Sequence, residues 1–297
     1  MKQAMILAAG LGTRLKPLTD TMPKALVPVG GTPLLDLNIR RLMDFGYDRF
    51  VINIHHFAQQ IVDHVKEHYP QDNPLNTSFS PLTRHHAPIA PVILFSDETE
   101  QLLETGGGLK KAQGLFRDDE PILIHNVDIL DNVDYDWFSR QHQSDEDAVL
   151  LVSKRKTKRY LLFDSAMRLM GWMNIETGEV KSPFPWLRNA DISIDSEWKV
   201  QAAANTCSPS VASDLRSSAS SFTLHSSLHA FAFSGIHSFS PRLFPLMARF
   251  PDRFSIIDFY LSVCHRAHIV GLPKADLQLL DVGRLDSLEK AESFIQW

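Results

Sequence analysis

A glycine-rich segment near the start of the chain has the residue types that bind phosphate groups. Gly10 and Gly12 follow an apolar run, and Thr13 and Arg14 come directly after them. Glycine allows the backbone to approach a ligand closely and to direct amides at phosphate oxygens, while arginine adds a charged donor. Leu15 holds the place of the third glycine of a dinucleotide-binding fingerprint, and no Gly-Lys-Ser/Thr follows to complete a P-loop. The segment is therefore either another kind of phosphate-binding loop or a tight turn between a strand and a helix.

A carboxylate follows an apolar run in the middle of the chain. The run at 121–125 predicts a buried strand, and Asp128 lies just beyond it. Ligands of α/β sheets bind at the carboxyl ends of the strands, and a carboxylate there is a natural ligand for magnesium. As a lone feature, such an aspartate is more often a cap or turn residue.

Three short motifs resemble the opening signature of the sugar-1-phosphate nucleotidyltransferase family. They are Gly-x-Gly-Thr-Arg at residues 10–14, Pro-Leu-Thr at 17–19 and Pro-Lys-x-Leu at 23–26. In that family the loop wraps a nucleoside triphosphate, and its arginine and lysine hold phosphates. The resemblance therefore implies catalytic roles for Arg14 and Lys24.

The resemblance extends to the part of the site that reads the nucleobase. Leu-Glu-Thr-Gly-Gly-Gly-Leu at residues 103–109 is similar to the family turn that recognises the base through backbone amides and a polar side chain. Asn53, at the end of the second expected strand, is expected to line the same pocket. The nucleotide-binding residues that we expect are Leu7, Ala9, Gly10, Gly12, Thr13, Arg14, Asn53, Glu104, Gly106 and Gly107.

A late motif resembles the one that completes the metal site of the family. It is Leu-Asp-Val-Gly at residues 280–283. The resemblance implies that Asp128 and Asp281 together bind Mg²⁺. Relatives usually have Gly-Asp at the first of these positions, where this chain has Val127 before the aspartate.

The residues expected on the sugar side lie in the second half of the chain. Phe-Ser-Gly-Ile at residues 233–236 resembles a family segment that contacts the sugar, and it contains Gly235. Asn174 and Glu179 are the other two sugar-binding candidates. Many relatives carry Glu-Lys-Pro near this stretch, and its lysine binds a second phosphate. That motif is missing here, and Lys181 is the nearest substitute.

Short apolar runs alternate with helical periodicity through the first half of the chain. Strands are expected at 4–9, 49–54, 92–95 and 121–125, and helices at 33–45, 57–69 and 105–115. Because each parallel pair of strands needs a crossover, this alternation predicts an α/β fold with a doubly wound, mostly parallel Rossmann-like sheet. The resemblance implies the nucleotidyltransferase (GT-A-like) type of this sheet, with a sugar-binding subregion.

We expect a single nucleotidyltransferase domain over residues 1–297. Residues 1–155 are expected to form the nucleotide-binding core, and residues 156–297 to carry the sugar-binding part and the second metal ligand. Loop insertions are expected at 70–91, which is rich in Pro, His and Asn, and at 205–227, which is dominated by Ser.

Charge and composition argue against several classes of partner. The 30 Lys and Arg against 35 Asp and Glu give a formal charge of −5, so no nucleic-acid partner is expected. No apolar run reaches about 18 residues, so no membrane association is expected. The apolar run of the first ten residues is too short for a signal peptide. With only two cysteines, Cys207 and Cys264, a reducing compartment and therefore a cytoplasmic protein is expected. The protein is expected to be either a monomer or a small homo-oligomer.

The reaction that the resemblance implies joins an NTP and a sugar 1-phosphate into an NDP-sugar and releases pyrophosphate. The second pKa of a phosphate monoester is about 6, so this nucleophile is ionised at neutral pH and needs no general base. The chain resembles short bacterial members, such as the N-acetylmuramate 1-phosphate uridylyltransferases of cell-wall recycling. Mannose- or heptose-1-phosphate guanylyltransferases are the alternative among these members. The end at Trp297 is expected to leave out the β-helix acetyltransferase part of longer relatives.

Two alternatives come from other classes of protein. A noncatalytic nucleotide-sugar sensor would keep the fold and the base pocket, but it should lack the phosphate cations or the metal carboxylates. A glycosyltransferase shares the type of sheet and usually binds its metal through Asp-x-Asp, whereas Asp128 and Asp131 have the wrong spacing.

Overall fold

A computed structural model describes residues 2–70, 91–195, 198–203 and 228–295. The expected insertion at 205–227 lies outside the described residues, and so does the one at 70–91 apart from its two end residues. In chain order, the strands of the described residues are β1 (Lys2–Leu7), β2 (Pro28–Val29), β3 (Thr32–Pro33), β4 (Tyr47–Ile54), β5 (Val92–Asp97), β6 (Ile122–Asn126), β7 (Ile129–Asp131), β8 (Ala148–Ser153), β9 (Arg159–Phe163), β10 (Leu169–Asn174), β11 (Val180–Lys181), β12 (Asp191–Ile194), β13 (Lys199–Ala203), β14 (Leu228–Phe239), β15 (Ile269–Pro273) and β16 (Leu279–Asp281).

The three helices expected in the first half of the chain are present within four residues of their expected bounds, and five further α-helices follow among the described residues. Together they are α1 (Leu34–Asp44), α2 (Ala58–His68), α3 (Glu104–Lys111), α4 (Tyr135–Arg140), α5 (Pro185–Arg188), α6 (Phe244–Met247), α7 (Ile256–Val263) and α8 (Leu285–Phe294). The helix expected over 105–115 ends at Lys111, and a 3-10 turn at Gln113–Leu115 follows it. Among these described helices, none has the length and apolar character needed to cross a bilayer.

A mixed sheet forms the centre of the fold, with its parallel strands in the first half of the chain. The strand order is β15-β8-β14-β6-β1-β4-β5. Strands β5, β4, β1 and β6 are parallel, and β14 runs antiparallel to both β6 and β8. The expected α/β class is confirmed. Because β6 and β8 point the same way, the carboxyl ends of the parallel strands and of β8 face one edge.

Strand β14 joins the central sheet to the part of the fold expected to bind the sugar. Its carboxyl half pairs with β6 and β8, whereas its amino half pairs with β9 and β13. Strands β10 and β11 continue outward from β9, and β12 pairs with β13, all in antiparallel fashion. The residues after 155 therefore supply a central strand of the sheet as well as a subregion of their own.

Two hydrophobic layers sandwich the central sheet. Alternate residues of β1 face opposite layers, because successive side chains of a strand point to opposite faces. Ala4 and Ile6 pack with α1 and α2, while Met5 packs with α3 and α7. This burial of both faces explains why β1, β6 and β8 are continuous apolar runs rather than alternating ones.

A buried polar network lies beneath the turn that follows β6. The Asp131 carboxylate accepts hydrogen bonds from the hydroxyl of Tyr135 and the amide of Val133, both at 2.8 Å, and His125 Nε2 lies 3.1 Å from it. Burial raises the pKa of Asp131, but the hydrogen bond and charge of His125, the charge of Arg41 and the hydrogen bond from the Val133 amide together outweigh this effect, and the pKa is lowered overall. The ionised carboxylate thus anchors both ends of the turn.

His237 on β14 lies near this network and is fully enclosed. Among the described residues, neither of its ring nitrogens has a hydrogen-bond partner. Its ring packs against Tyr260, with centroids 5.6 Å apart, and against Phe233, with centroids 5.5 Å apart. Burial, and then the charge of His125, lower the pKa of His237 from 6.5 to about 3.

We expect His237→Leu to make the protein less sensitive to acid. Between these two pKa values the unfolded chain binds a proton at His237 and the folded chain does not. As the pH is lowered through this range, the free energy of unfolding therefore decreases by up to about 1.4 kcal/mol per pH unit because of this residue. Leucine removes this linkage, so urea unfolding between about pH 6 and about pH 4 should show a shallower loss of stability than in the parent.

The matched control is His265→Leu, because the side chain of His265 is exposed. This variant should follow the parent across the same pH range. Parallel stability curves for the parent and His237→Leu would contradict the assignment of acid sensitivity to His237.

Candidate active site

The chain leaves β1 because its next two amides bond to a side chain rather than to a neighbouring strand. The amides of Ala8 and Ala9 donate to Asn53 Oδ1 at 2.7 and 3.4 Å. Asn53 Nδ2 donates to Glu98 Oε1 at 2.8 Å, and Glu98 is fully buried. The first strand therefore ends at Leu7, two residues earlier than expected, and a buried Asn–Glu pair supports the loop that follows.

Gly12 allows the glycine-rich loop to fold back on the segment that carries Lys24. Its φ is +63°, and a Cβ there would lie 2.8 Å from Thr19 Cγ2 and 3.0 Å from Lys24 Cβ. The hydroxyl of Thr19 donates to the Gly12 carbonyl at 2.9 Å. A side chain at this position would strain the backbone and separate the two segments, so glycine is needed for the conformation.

The rest of the loop is open to a ligand. A Cβ on Gly10 would meet no atom within 4 Å. The side chains of Thr13 and Arg14 are exposed. Packing therefore does not explain the glycine at position 10, whereas close approach of a ligand would.

Antiparallel pairing of β7 with β16 brings together two aspartates from distant parts of the chain. Asp281 stands opposite Ile129, the residue after Asp128. The amide of Val282 donates to the carbonyl of Asp128 at 2.8 Å. The backbone of β16 thus places Asp281, the second expected metal ligand, next to Asp128 just beyond the end of β6.

Three side chains meet around Gly283. A Cβ on this glycine would lie 2.6 Å from Asp281 Oδ1, 2.8 Å from Arg14 Nη2 and 3.3 Å from Asp128 Oδ2. The Gly283 amide donates to Asp281 Oδ1 at 2.8 Å. The Lys24 ammonium pairs with the carboxylate of Asp128. The two expected catalytic cations and the two expected metal ligands are therefore neighbours at one edge of the sheet.

The two carboxylates fit the chemistry of Mg²⁺. Within the described ranges, no group of three or more His, Cys, Asp or Glu side chains could hold a metal ion. Mg²⁺ commonly binds through one or two carboxylates, with water and substrate phosphates as its other ligands. Asp128 and Asp281 match that donor set when a phosphate substrate is bound beside them.

Comparison with known proteins identifies the family. A sequence profile of the nucleotidyl transferase family matches residues 3–160, which is more than half of the 297 residues. The chain is a nucleotidyl transferase family member. The matched segment contains the glycine-rich loop, Lys24, the 103–109 turn and Asp128, but it ends before Asp281.

Two curated members of the family are similar to this nucleotidyltransferase in sequence. One, from Caulobacter vibrioides, is 40% identical over 129 residues, covering 43% of this chain and 46% of the relative. The other, from Neisseria meningitidis serogroup B, is 35% identical over 133 residues, covering 45% and 49%. Both are named N-acetylmuramate alpha-1-phosphate uridylyltransferase. The alignments span about half the length of these curated relatives.

Solved structures confirm the nucleotidyltransferase fold over the full length of the chain. The inositol-1-phosphate CTP transferase of T. maritima matches with a TM-score of 0.64 and 12% identity, covering 100% of this chain and 97% of that one. At this level of identity the likeness concerns the fold alone.

The 103–109 turn of this nucleotidyltransferase packs against a distant loop. The amides of Gly106 and Gly107 both donate to the Phe254 carbonyl, at 2.9 and 3.1 Å. A Cβ on Gly107 would lie 2.0 Å from the Asp252 carbonyl oxygen. These two amides thus have a partner inside the protein, so they are not the free donors to the base that were expected. Glu104 pairs with Arg253 at 2.9 Å, and both side chains are exposed.

Glu98 is a residue that the sequence motifs did not reveal. Its carboxylate accepts from Asn53 Nδ2 and, at 3.0 Å, from the amide of Leu103. It therefore connects the glycine-rich loop, through Asn53, to the start of the 103–109 turn. The signal in the sequence is an acidic residue directly after the apolar strand β5, which is weak without knowledge of its burial.

The three expected sugar-binding residues do not lie together. Gly235 has a φ of +83°, and a Cβ there would lie 2.7 Å from Asn126 Nδ2, at the end of β6. Asn174 ends β10, which is separated from β14 by β9, and Glu179 lies in the exposed turn after it. Neighbouring strands are about 4.8 Å apart, so Asn174 stands about 10 Å across the sheet from β14.

Lys181 has partners on α7 and β10. Its ammonium lies 3.2 Å from Asp258 Oδ1 on α7 and 5.3 Å from the centre of the Trp172 ring. These partners fix the side chain between the edge of the subregion and α7. The structure thus gives no support to Lys181 as the substitute for the missing phosphate-binding lysine.

Gly283→Ala should disrupt the site while leaving the fold intact. The new methyl group would displace the ends of Asp281 and Arg14, which are flexible, and no backbone atom lies in its way. We expect the free energy of unfolding to stay within about 1 kcal/mol of the parent, because the cost falls on surface side chains. Affinity for nucleoside triphosphate in the presence of Mg²⁺, measured by calorimetry with each of the four common NTPs, should fall at least about tenfold for the NTP that the parent binds best.

Gly114→Ala is the matched control, since a Cβ on Gly114 meets nothing within 4 Å. It should bind the same NTP as tightly as the parent does. Unchanged nucleotide affinity in Gly283→Ala would show that the convergence around Gly283 is not a binding site.

Proposed function

We propose that this nucleotidyltransferase transfers a nucleotidyl group from an NTP to a sugar 1-phosphate. The observation that carries the proposal is the convergence of Arg14, Asp128 and Asp281 around Gly283, with Lys24 paired to Asp128. Two cations, with two carboxylates able to hold a metal ion, at the carboxyl edge of the sheet suit a reaction between a triphosphate and a monophosphate anion. No general base is needed, because the attacking phosphate is already ionised at neutral pH.

In the proposed reaction, an oxygen of the sugar phosphate attacks the α-phosphorus of the NTP. The bond from this phosphorus to the oxygen that bridges to the β-phosphate breaks, and pyrophosphate leaves with that electron pair. Catalysis then depends on alignment of the reactants and on electrostatic stabilisation. Residues 10–14 would receive the NTP phosphates, with Arg14 beside the departing pyrophosphate and Lys24 beside the attacking phosphate.

Other residues of the site have supporting roles in this proposal. The backbone at Leu7 and Ala9 forms the floor of the loop, and Asn53 acts by holding that backbone in place. Glu104, Gly106 and Gly107 belong to the 103–109 turn, and this turn would shape the part of the site that receives the nucleobase. Asp128 and Asp281 would hold Mg²⁺, which supplies positive charge to the phosphates when bound.

The substrates that we propose are UTP and N-acetylmuramate 1-phosphate. The support for this choice is the 40% and 35% identity, over 129 and 133 residues, to two relatives with that named activity. Gly235, next to Asn126 at the end of β6, is the best placed of the expected sugar-binding residues. Because the NTP is a cytoplasmic metabolite, we also propose that the protein works in the cytoplasm.

A matrix of substrates tests the proposal. The four NTPs are combined with 1-phosphates of N-acetylmuramate, N-acetylglucosamine, mannose and heptose, and pyrophosphate release is measured. We expect the highest kcat/KM for UTP with N-acetylmuramate 1-phosphate. A preference for GTP with mannose or heptose 1-phosphate would instead show that the protein is a guanylyltransferase. No release from any pair, together with nucleotide-sugar binding, would indicate a noncatalytic sensor.

Removal of one charge at the site should abolish turnover without unfolding the protein. At about 4 Å and an effective dielectric constant of about 20, one pair of unit charges interacts by about 4 kcal/mol. We therefore expect Arg14→Ala and Asp128→Asn to lower kcat at least about a hundredfold. Asp281→Asn should raise the Mg²⁺ concentration needed for half-maximal rate.

Lys66→Ala and Asp63→Asn on α2 make the same charge changes on exposed residues away from the site. They should retain parental rates. Near-normal transfer by Arg14→Ala or Asp128→Asn would refute the assigned roles, and an unaltered Mg²⁺ dependence in Asp281→Asn would remove it from the metal pair.

A further inference from the structure

The loop between β8 and β9, together with the first residue of β9, concentrates positive charge in an otherwise acidic chain. Five of the six residues at 154–159 are basic, in a protein whose formal charge is −5. We call residues 154–159 the basic segment. All five of its cationic side chains are exposed: Lys154, Arg155, Lys156, Lys158 and Arg159.

The cations of the basic segment are mostly available to a ligand. Within the described residues, Lys158 has an acidic partner, Glu176, at 2.8 Å. Arg155 donates through Nη2 to the Phe233 carbonyl at 2.9 Å, and its other guanidinium donors form no hydrogen bond with the residues that the structure describes. In the same part of the structure, no salt bridge involves Lys154 or Lys156. Unneutralised cations that stand side by side repel one another, and an anionic ligand relieves that repulsion.

One end of the basic segment is attached to the turn next to the end of β6. The Arg155 guanidinium is fixed on Phe233, two residues before Gly235. Gly235 in turn lies against Asn126, two residues before Asp128. Phe233 and Gly235 are two residues apart, and two residues of extended chain span about 7 Å. The distance from Arg155 to Gly235 is therefore comparable to the length of a sugar ring and its substituents.

The other end of the basic segment is attached to the turn after β10. Arg159 is paired with Asn174 across the β9–β10 ladder. The Ile175 amide donates to the Lys158 carbonyl at 2.9 Å. The basic segment therefore connects the two turns where we expected the sugar, although the residues of those turns lie on different strands.

The transferred phosphate does not account for these cations. Arg14 and Lys24 already stand at the aspartate pair, and they approach it from the opposite side of β6, through β1 and its loop. Sugar hydroxyls are uncharged, so they would not neutralise three or more exposed cations. A carboxylate on the sugar would, because it binds guanidinium and ammonium groups through charge-assisted hydrogen bonds.

We propose that the basic segment binds a carboxylate on the acceptor sugar, so that the enzyme selects the 1-phosphate of a sugar acid. Arg155, held by Phe233, is the fixed donor, and Lys154 and Lys156 add flexible charge beside it. This inference rests on the proposed function. It adds a selectivity that the residues around Gly283 do not provide.

The test compares an acidic acceptor with its uncharged counterpart. The acceptors are N-acetylmuramate 1-phosphate and its methyl ester, with UTP and Mg²⁺, and the readout is pyrophosphate release. We expect the parent to prefer the acid. In the triple variant Lys154→Met, Arg155→Met, Lys156→Met, kcat/KM for the acid should fall at least about tenfold through KM, and the value for the ester should not change. The preference of the parent for the acid should also weaken as salt is added.

Lys66→Met is the matched control, because this lysine is exposed on α2, outside the basic segment, and its loss should leave the preference unaltered. Equal use of acid and ester by the parent would overturn the inference, as would an equal fall for both acceptors in the triple variant. Those results would leave the proposed transfer intact. Absence of pyrophosphate release with every acceptor would instead contradict the proposed function itself.

Discussion

The candidate site depends on the short pairing of β7 with β16. This ladder sets Asp281 opposite Ile129 and lets the Val282 amide donate to the Asp128 carbonyl at 2.8 Å. Without it, the half of the chain that matches the family profile would present one aspartate and its paired Lys24, but no second carboxylate. The buried Asp131 network supports the same turn from below, so loss of either contact would move the aspartate pair.

Glycine serves this site in four different ways, and each follows from a specific steric fact. Gly12 has a left-handed backbone and allows the loop to touch the segment of Lys24. Gly107 allows two chain segments to meet at a distance that leaves no room for a Cβ, whereas Gly283 leaves space that three charged side chains occupy. Gly10 is different because nothing in the protein fills its space. The space beside Gly10 therefore remains available to a ligand.

The sequence predicted the parts of the molecule that are local in the chain. Alternating apolar runs and helical periodicity predicted the α/β class and most of the elements before residue 126, because burial on both faces produces continuous apolar strands. The pairing of β8 with β14 and β15 was not predicted, since register between distant strands leaves no local pattern. For the same reason the partners of Gly106 and Gly107 were unforeseen: the Phe254 carbonyl comes from a loop far along the chain. Motif resemblance alone brought Asp281 into the expected site.

The distribution of charge separates the two tasks of the proposed enzyme. Phosphate chemistry needs cations beside the reacting groups: Lys24 is paired with Asp128, and the end of Arg14 lies beside Gly283. Selection of an acceptor needs a surface that can differ between relatives without disturbing that geometry, and loops positioned by a rigid sheet provide such surfaces. The basic segment is a loop of this kind, since its ends are anchored by Phe233 and β10 while its side chains are exposed. A net charge of −5 conceals both regions, because the acidic residues that outweigh them lie elsewhere on the protein.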